Sequence, residues 1–287
     1  MRTLKLLFQL LNEDVNFLLT NRIPRRALTL WMGWFSKIEH PLLCRISIAI
    51  WRCFADLDLS ESRVQTFSSL HACFVRELKP SARPIHSDRS VLVSPCDAIV
   101  GAQGLVDGTR LYQAKGFPYT LEDLLPTPEL VSICRDSTYV TLRIKSSMYH
   151  RFHAPSDLHV ERTVYVSGDT WNVNPIALKR VERLFCRNER AVVQTRLPDG
   201  APLVMVPVAA ILVASIRLHF LDTLLHLRYQ GPNQIECNTT YKRGEEMGWF
   251  EHGSTIIVFA PKGYAVCAEN QPGAALRMGQ PLMRRVE

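Results

Sequence analysis

Apolar positions in the first part of the chain recur at helical spacing. Leu4, Leu7, Phe8, Leu11, Val15, Leu18 and Leu19 make one series, and Leu28, Trp31, Trp34, Phe35 and Ile38 a second. Leu42, Leu43, Ile46, Ala49, Ile50, Cys53 and Phe54 make a third, with Pro41 suited to its first turn. Around these faces stand Arg2, Lys5, Arg22, Arg25, Arg26, Lys37, Arg45 and Arg52, with Trp31, Trp34 and Trp51 among them. Basic and aromatic residues on amphipathic helices suit a membrane interface. A bundle packed on the rest of the chain satisfies the same pattern equally well.

From about Thr66 the pattern changes. Residues 66–78 read as one more helix, and 79–84 as a connector bounded by Pro80 and Pro84. Beyond it, β-rich runs alternate with turns at 91–93, 99–102, 139–144, 160–166, 191–196, 203–216, 255–260 and 264–268. In 139–144, Val140, Leu142 and Ile144 alternate with Tyr139, Thr141 and Arg143, the period of a strand. Residues 121–125 and 175–184 read as short helices between strands. The pattern predicts an α+β protein: an amphipathic helical arm over 1–65 and a β-rich, mainly antiparallel body over 66–287.

Composition narrows the class. Hydrophobic residues are 47% and charged residues 21% of the chain, which excludes a disordered or collagen-like protein. The eight cysteines are never closer than the nine residues separating Cys44 from Cys53, so neither a CxxC zinc knuckle nor a redox pair is present. Of the net charge of +7, most lies in residues 1–90, which hold 13 Lys and Arg against 8 Asp and Glu. No nucleic-acid-binding signature accompanies that excess, so an anionic membrane is the better match. The start of the chain resembles a signal peptide but reaches Glu13 and Asp14 early, and no small-residue cleavage site follows. The longest apolar run, 202–216, is short for a membrane span and carries Pro207 among valines, which favours buried strands.

Reactive residues fall at three turns. Ser94-Pro95-Cys96-Asp97-Ala98 joins two apolar runs and presents Asp97 at a strand end, where it could equally serve turn amides. Tyr149-His150-Arg151-Phe152-His153 follows a strand; without companion ligands at matching spacing its histidines suit acid–base work better than zinc. Gly253-Ser254-Thr255 opens an apolar strand but lacks the second glycine of a nucleophile elbow. Asp97, His153 and Ser254 could assemble a triad, since triads are defined by geometry. On the residues alone, a serine hydrolase acting on an external ester and a non-enzymatic lipid-binding protein both remain open.

The motifs together resemble the phosphatidylserine decarboxylase proenzymes. Gly253-Ser254-Thr255 before an apolar strand and Ala260-Pro261 is similar to that family's processing site. Phe74-Val75-Arg76-Glu77-Leu78, Arg83-Pro84-Ile85, Pro95-Cys96-Asp97, Gln113-Ala114-Lys115-Gly116 and Tyr149-His150-Arg151-Phe152-His153 resemble further family motifs. So do Val166-Ser167-Gly168-Asp169, Arg187-Asn188-Glu189-Arg190 and Gly244-Glu245-Glu246-Met247-Gly248-Trp249-Phe250, all in the family's order.

The resemblance implies self-cleavage between Gly253 and Ser254, giving a β chain ending at Gly253 and an α chain of residues 254–287. His153 would be the base, Asp97 its orienting carboxylate, and Ser254 the source of a covalent pyruvoyl group, with no metal. That group would form a Schiff base with phosphatidylserine, releasing CO2 and yielding phosphatidylethanolamine, with His150 returning the proton. The implied partners are phosphatidylserine in the membrane surface and the α and β chains of one heterodimer, able to pair further; no nucleic acid is implied. The implied location is peripheral, on the cytoplasmic face of the inner membrane. His252, Ala98 and Met148 depart from the family's usual leucine, glycine and aspartate.

Overall fold

The structure, a computed structural model, describes residues 17–18, 24–114, 117–212, 215–251 and 254–286. Of the first apolar series only Leu18 lies among them, and Arg2, Lys5, Arg22, Lys115, Gly116, His252 and Gly253 lie outside. The architecture is α+β, with helices first and a strand-rich, antiparallel body after them.

An eight-stranded sheet forms the centre of the body. Its order is Gln234–Tyr241, Leu158–Val166, Arg190–Arg196, Pro202–Ala209, Ser254–Ala260, Thr138–Ile144, Ala98–Leu105 and Ala275–Leu276. Every neighbouring pair is antiparallel. Ser254–Ala260 lies inside this sheet, with Ser254 opposite Ile144 on one side and Ala209 on the other. Both of its faces are covered, which is why the sequence there is an unbroken apolar run. Ile256, Val258 and Ala260 enter one core cluster with Val140, Leu142 and Met205, whereas Ile257 and Phe259 enter the other with Tyr139, Val204 and Val206. A second sheet, in the order Leu224–His226, Ser215–Leu218, Glu246–Phe250 and Arg151–His153, carries the histidine segment.

Where the pattern predicts longer elements, the backbone breaks them. Residues 66–78 yield only the helix Leu70–Phe74, capped by the Ser69 hydroxyl; the chain then leaves the helix to bridge Leu78 to Ser62. The run 203–216 becomes Pro202–Ala209 and Ser215–Leu218, parted near Leu212, whose φ is 79°. The helix expected over 175–184 divides into Pro175–Leu178 and Leu184–Arg187, with Arg183 left-handed between them at φ 52°.

Two helices of the arm are described, Arg25–Phe35 and Pro41–Phe54, the second with Pro41 in its first turn as expected. The first docks through buried Thr29, whose hydroxyl accepts from the Leu212 amide, and through Arg25, which pairs with Asp169 at 2.6 Å and lies over the Trp171 ring. Lys37 beyond it reaches the buried Glu251 at 3.0 Å. Trp31, Trp34, Leu42, Ile46, Ile50 and Phe54 remain exposed. No described helix is long and apolar enough to cross a membrane.

Candidate active site

Backbone hydrogen bonds bring two of the three reactive turns together. Ser94 closes its own turn by donating to the Cys96 carbonyl at 2.7 Å, and the His153 amide donates to the Pro95 carbonyl at 2.8 Å. The Val93 amide donates to the Pro155 carbonyl, so the Asp97 turn and the histidine segment share an edge. The strand Arg151–His153 is held in turn by Glu246–Phe250, in the register Phe152 opposite Gly248. Only glycine fits at 248, because a Cβ there would stand 2.0 Å from the Arg217 carbonyl oxygen.

Asp97 is buried and held by Arg83, which donates from Nε to Oδ1 at 2.8 Å and from Nη2 to Oδ2 at 2.5 Å. The Met278 amide adds a third donor at 2.9 Å, and Arg83 also reaches Glu61 at 2.8 Å. The carboxylate partners raise the Arg83 guanidinium pKa, although its burial pulls the other way. His153, also buried, sets Nδ1 on the Gly244 carbonyl at 3.0 Å. A carbonyl can only accept, so that contact holds the proton on Nδ1 and leaves Nε2 to accept from the Tyr149 hydroxyl, at 3.0 Å. Burial keeps the imidazole below its ordinary value, against the raising pull of the Gly244 carbonyl. Burial likewise raises the Tyr149 phenol, so it stays protonated at neutral pH.

Ser254 is fully buried, and its Oγ has no hydrogen-bond partner among the described residues. Ile144, across the ladder from it, lines a cavity of about 930 Å³ together with Asp97, Arg83 and Tyr149. A smaller cavity of about 350 Å³ holds His153, Gly244 and Glu246. Leu78, Arg83 and Tyr149 line both. Asp97 and His153 therefore adjoin without a direct hydrogen bond to each other: Arg83 stands on the first and Tyr149 on the second. His150 lines neither cavity; it is buried against the Phe74 ring, 4.0 Å between centroids, with Nδ1 on the Met148 carbonyl at 2.8 Å. Gly253 lies outside the described residues.

Arg83 and Tyr149 were present in the sequence motifs but carried no chemical signal of their own. Arg83 lies within the proline-bounded connector and Tyr149 precedes the more conspicuous histidines, so only the fold shows them contacting Asp97 and His153. Arg151 acts as a tie: it bonds Glu246 at 2.8 Å and the Val75 carbonyl at 2.9 Å, fastening the histidine strand to its surroundings.

The model of the family described as phosphatidylserine decarboxylase matches residues 70–284. The chain belongs to that family. Proteins named phosphatidylserine decarboxylase proenzyme resemble it along nearly their whole length. The one from Sodalis glossinidius (strain morsitans) is 31% identical over 282 residues, covering 94% of this chain and 95% of the relative. The Aliivibrio fischeri protein (strain ATCC 700601 / ES114) is 33% identical over 282 residues, with coverage of 92% and 96%. A Coxiella burnetii relative (strain RSA 331 / Henzerling II) is 33% identical over 247 residues, with coverage of 84% and 87%. By family the chain is a decarboxylase, a carboxy-lyase, and the relatives' names mark it as one of a set of proenzymes.

Proposed function

We propose that this chain decarboxylates phosphatidylserine to phosphatidylethanolamine with a pyruvoyl group made from its own Ser254. The Ser254 hydroxyl attacks the Gly253 carbonyl carbon, moving the acyl group from nitrogen to oxygen. Elimination of the ester then frees residues 1–253 as a β chain ending in a carboxylate. Tautomerisation and hydrolysis, with loss of ammonia, leave the pyruvoyl at the head of the α chain, 254–287. The two chains remain together as a heterodimer.

The observation that carries this reading is Ser254 itself. Its Oγ is buried at the head of the central strand with no hydrogen-bond partner among the described residues, an arrangement that costs about 1–3 kcal/mol and leaves the hydroxyl available as the nucleophile this reading requires. The same orphaned atom fits the site to the group that replaces it.

In this reading His153 is the base. Its Nε2 carries no proton, and displacement of the Tyr149 hydroxyl opens it to Ser254. Asp97 supplies the nearby negative charge that stabilises the imidazolium, while Arg83 fixes the carboxylate in place. The pyruvoyl supplies a ketone that condenses with the lipid amine and takes up the electron pair left by departing CO2. His150 returns a proton to the substrate carbon, for which it must carry one on Nε2 besides the one the Met148 carbonyl holds on Nδ1.

The substrate resides in a bilayer, so residues 1–65 serve as the docking arm and 66–287 as the catalytic body, on the cytoplasmic face of the inner membrane. Exposed Trp31 and Trp34, and the stripe Leu42, Ile46, Ile50 and Phe54, support that assignment. With vesicles containing phosphatidylserine labelled in its carboxyl group, the wild type is expected to release labelled CO2 and Ser254→Ala none. Equal release from both would overturn the reading.

A further inference from the structure

Five cationic side chains (Arg76, Arg83, Arg143, Lys145 and Arg277) and four carboxylates (Asp56, Asp58, Glu61 and Asp97) line the larger cavity, and of the cations only Arg83 and Arg277 are ion-paired to those carboxylates. Arg83 is engaged by Asp97 and Glu61, and Arg277 by Glu61 at 3.0 Å. Arg76 turns its donors to the Ser147 and Cys73 carbonyls. Arg143 and Lys145 remain on the cavity wall, and neither side chain has an ion pair or hydrogen bond among the described residues. Arg143 is half-buried, that burial lowers its guanidinium pKa, and no described residue pairs with its charge.

Their place relative to Ser254 is set by the sheet. Ile144 pairs with Ser254, and Arg143 pairs with Thr255. Adjacent strands lie about 4.8 Å apart, so Arg143 is within one side chain's length of the strand end that carries Ser254. Alternation sends Arg143 and Ile144 to opposite faces, and the cavity wraps the strand end and meets both. In phosphatidylserine the amine-bearing carbon and the phosphorus are separated by one methylene and one ester oxygen. A lipid whose amine reaches residue 254 therefore brings its phosphodiester to these cations.

We propose that Arg143 and Lys145 seat the phosphodiester of the phospholipid headgroup, the guanidinium through paired donors to the phosphoryl oxygens and the ammonium as a second charge. The substrate in this proposal rests on the decarboxylase reading. The cavity's rim favours a lipid over free phosphate: Phe54 and Ala55 line it, and Phe54, 87% exposed, ends the apolar stripe that starts at Leu42. A headgroup entering from that stripe reaches Arg143 and Lys145 inside the same cavity.

The test uses the full-length wild type, Arg143→Gln, Arg143→Lys and Lys145→Ser. Calorimetric titration with glycerophosphoglycerol, a phosphodiester without an amine, and with inorganic phosphate reads the seat directly. Release of CO2 from phosphatidylserine vesicles gives KM and kcat. Arg143→Gln is expected to weaken glycerophosphoglycerol binding and raise KM by about tenfold or more, with kcat changed less than about threefold. Arg143→Lys should recover part of the loss, and wild type should bind inorganic phosphate more weakly than the diester. Unchanged binding in Arg143→Gln and Lys145→Ser, or a fall in kcat at constant KM, would overturn the seat. Inorganic phosphate bound as tightly as the diester would overturn the lipid assignment. If Arg143→Gln does not fold, Lys145→Ser decides, with an expected loss of about threefold. A wild type that releases no CO2 counts against the decarboxylase reading alone, since the titration still reads the seat.

Discussion

Glu189 shows what burial does to one ionisable group in this chain. It is fully buried, and neither carboxyl oxygen has a hydrogen-bond partner among the described residues. The neighbouring Tyr165 hydroxyl donates to the His226 carbonyl at 2.9 Å. Burial pushes the Glu189 pKa up from 4.5 to about 8, with the nearby Tyr165 hydroxyl and the Arg26 charge pulling it down only in part, so the folded protein holds it protonated at neutral pH. The stability this gives is fully present below 4.5 and is lost as pH rises through about 8, because the unfolded chain ionises the group freely and the folded one cannot. The melting temperature should therefore fall between about pH 5 and about pH 9, and Glu189→Gln should flatten that fall by on the order of 5 °C. A variant with the wild-type pH profile would show that Glu189 does not set it. In the sequence this glutamate was visible only as a member of the Arg-Asn-Glu-Arg motif, and Asp97, His153 and Ser254 likewise stood out as residue types at turns. Their partners did not: Arg83 lies 14 residues from Asp97 with the strand Val91–Val93 between, and contacts of that kind come from tertiary packing.

At the scale of elements, strands buried on both faces or alternating cleanly were legible, and the short or irregular ones were not. The run 91–93 coincides with Val91–Val93, and 139–144 and 255–260 fall one residue short of Thr138–Ile144 and Ser254–Ala260. Gln234–Tyr241 was missed although it alternates, because only Ile235, Cys237 and Tyr241 carry the apolar period and the strand lies at an edge of the sheet. The three-residue strand Arg151–His153 is too short to show a period, and it is held by its partner rather than by its own propensity. In the arm, periodicity gave both described helices but left open which surface each faced. The structure answers with Thr29 buried and Leu42, Ile46, Ile50 and Phe54 exposed at four-residue intervals. Substituting Ile50→Glu and Phe54→Glu together in the full-length chain should weaken vesicle binding about tenfold or more, because two exposed apolar side chains that would enter the bilayer are lost. Unaltered sedimentation with vesicles would remove this stripe from the docking surface.

The whole molecule bears on how a chain cut before residue 254, as the proposed function requires, would stay in one piece. Ser254–Ala260 is hydrogen-bonded on both edges, to Thr138–Ile144 and to Pro202–Ala209. Its side chains are shared between the two main core clusters. Pro281–Arg285 adds a second anchor by pairing with Val91–Val93. An α chain so inserted would lose one covalent bond and none of its burial, so the proposed scission would leave the cavity walls where they are. On the proposed function, Ser254 is consumed in making the active site. Intact mass of the purified protein, beside its Ser254→Ala variant, tests it most directly. The wild type is expected to resolve into two chains divided after Gly253, the smaller one beginning with a blocked, ketone-reactive terminus, while the variant stays whole. A wild type that remains a single chain with an unmodified serine at 254 after incubation with phosphatidylserine vesicles would contradict it.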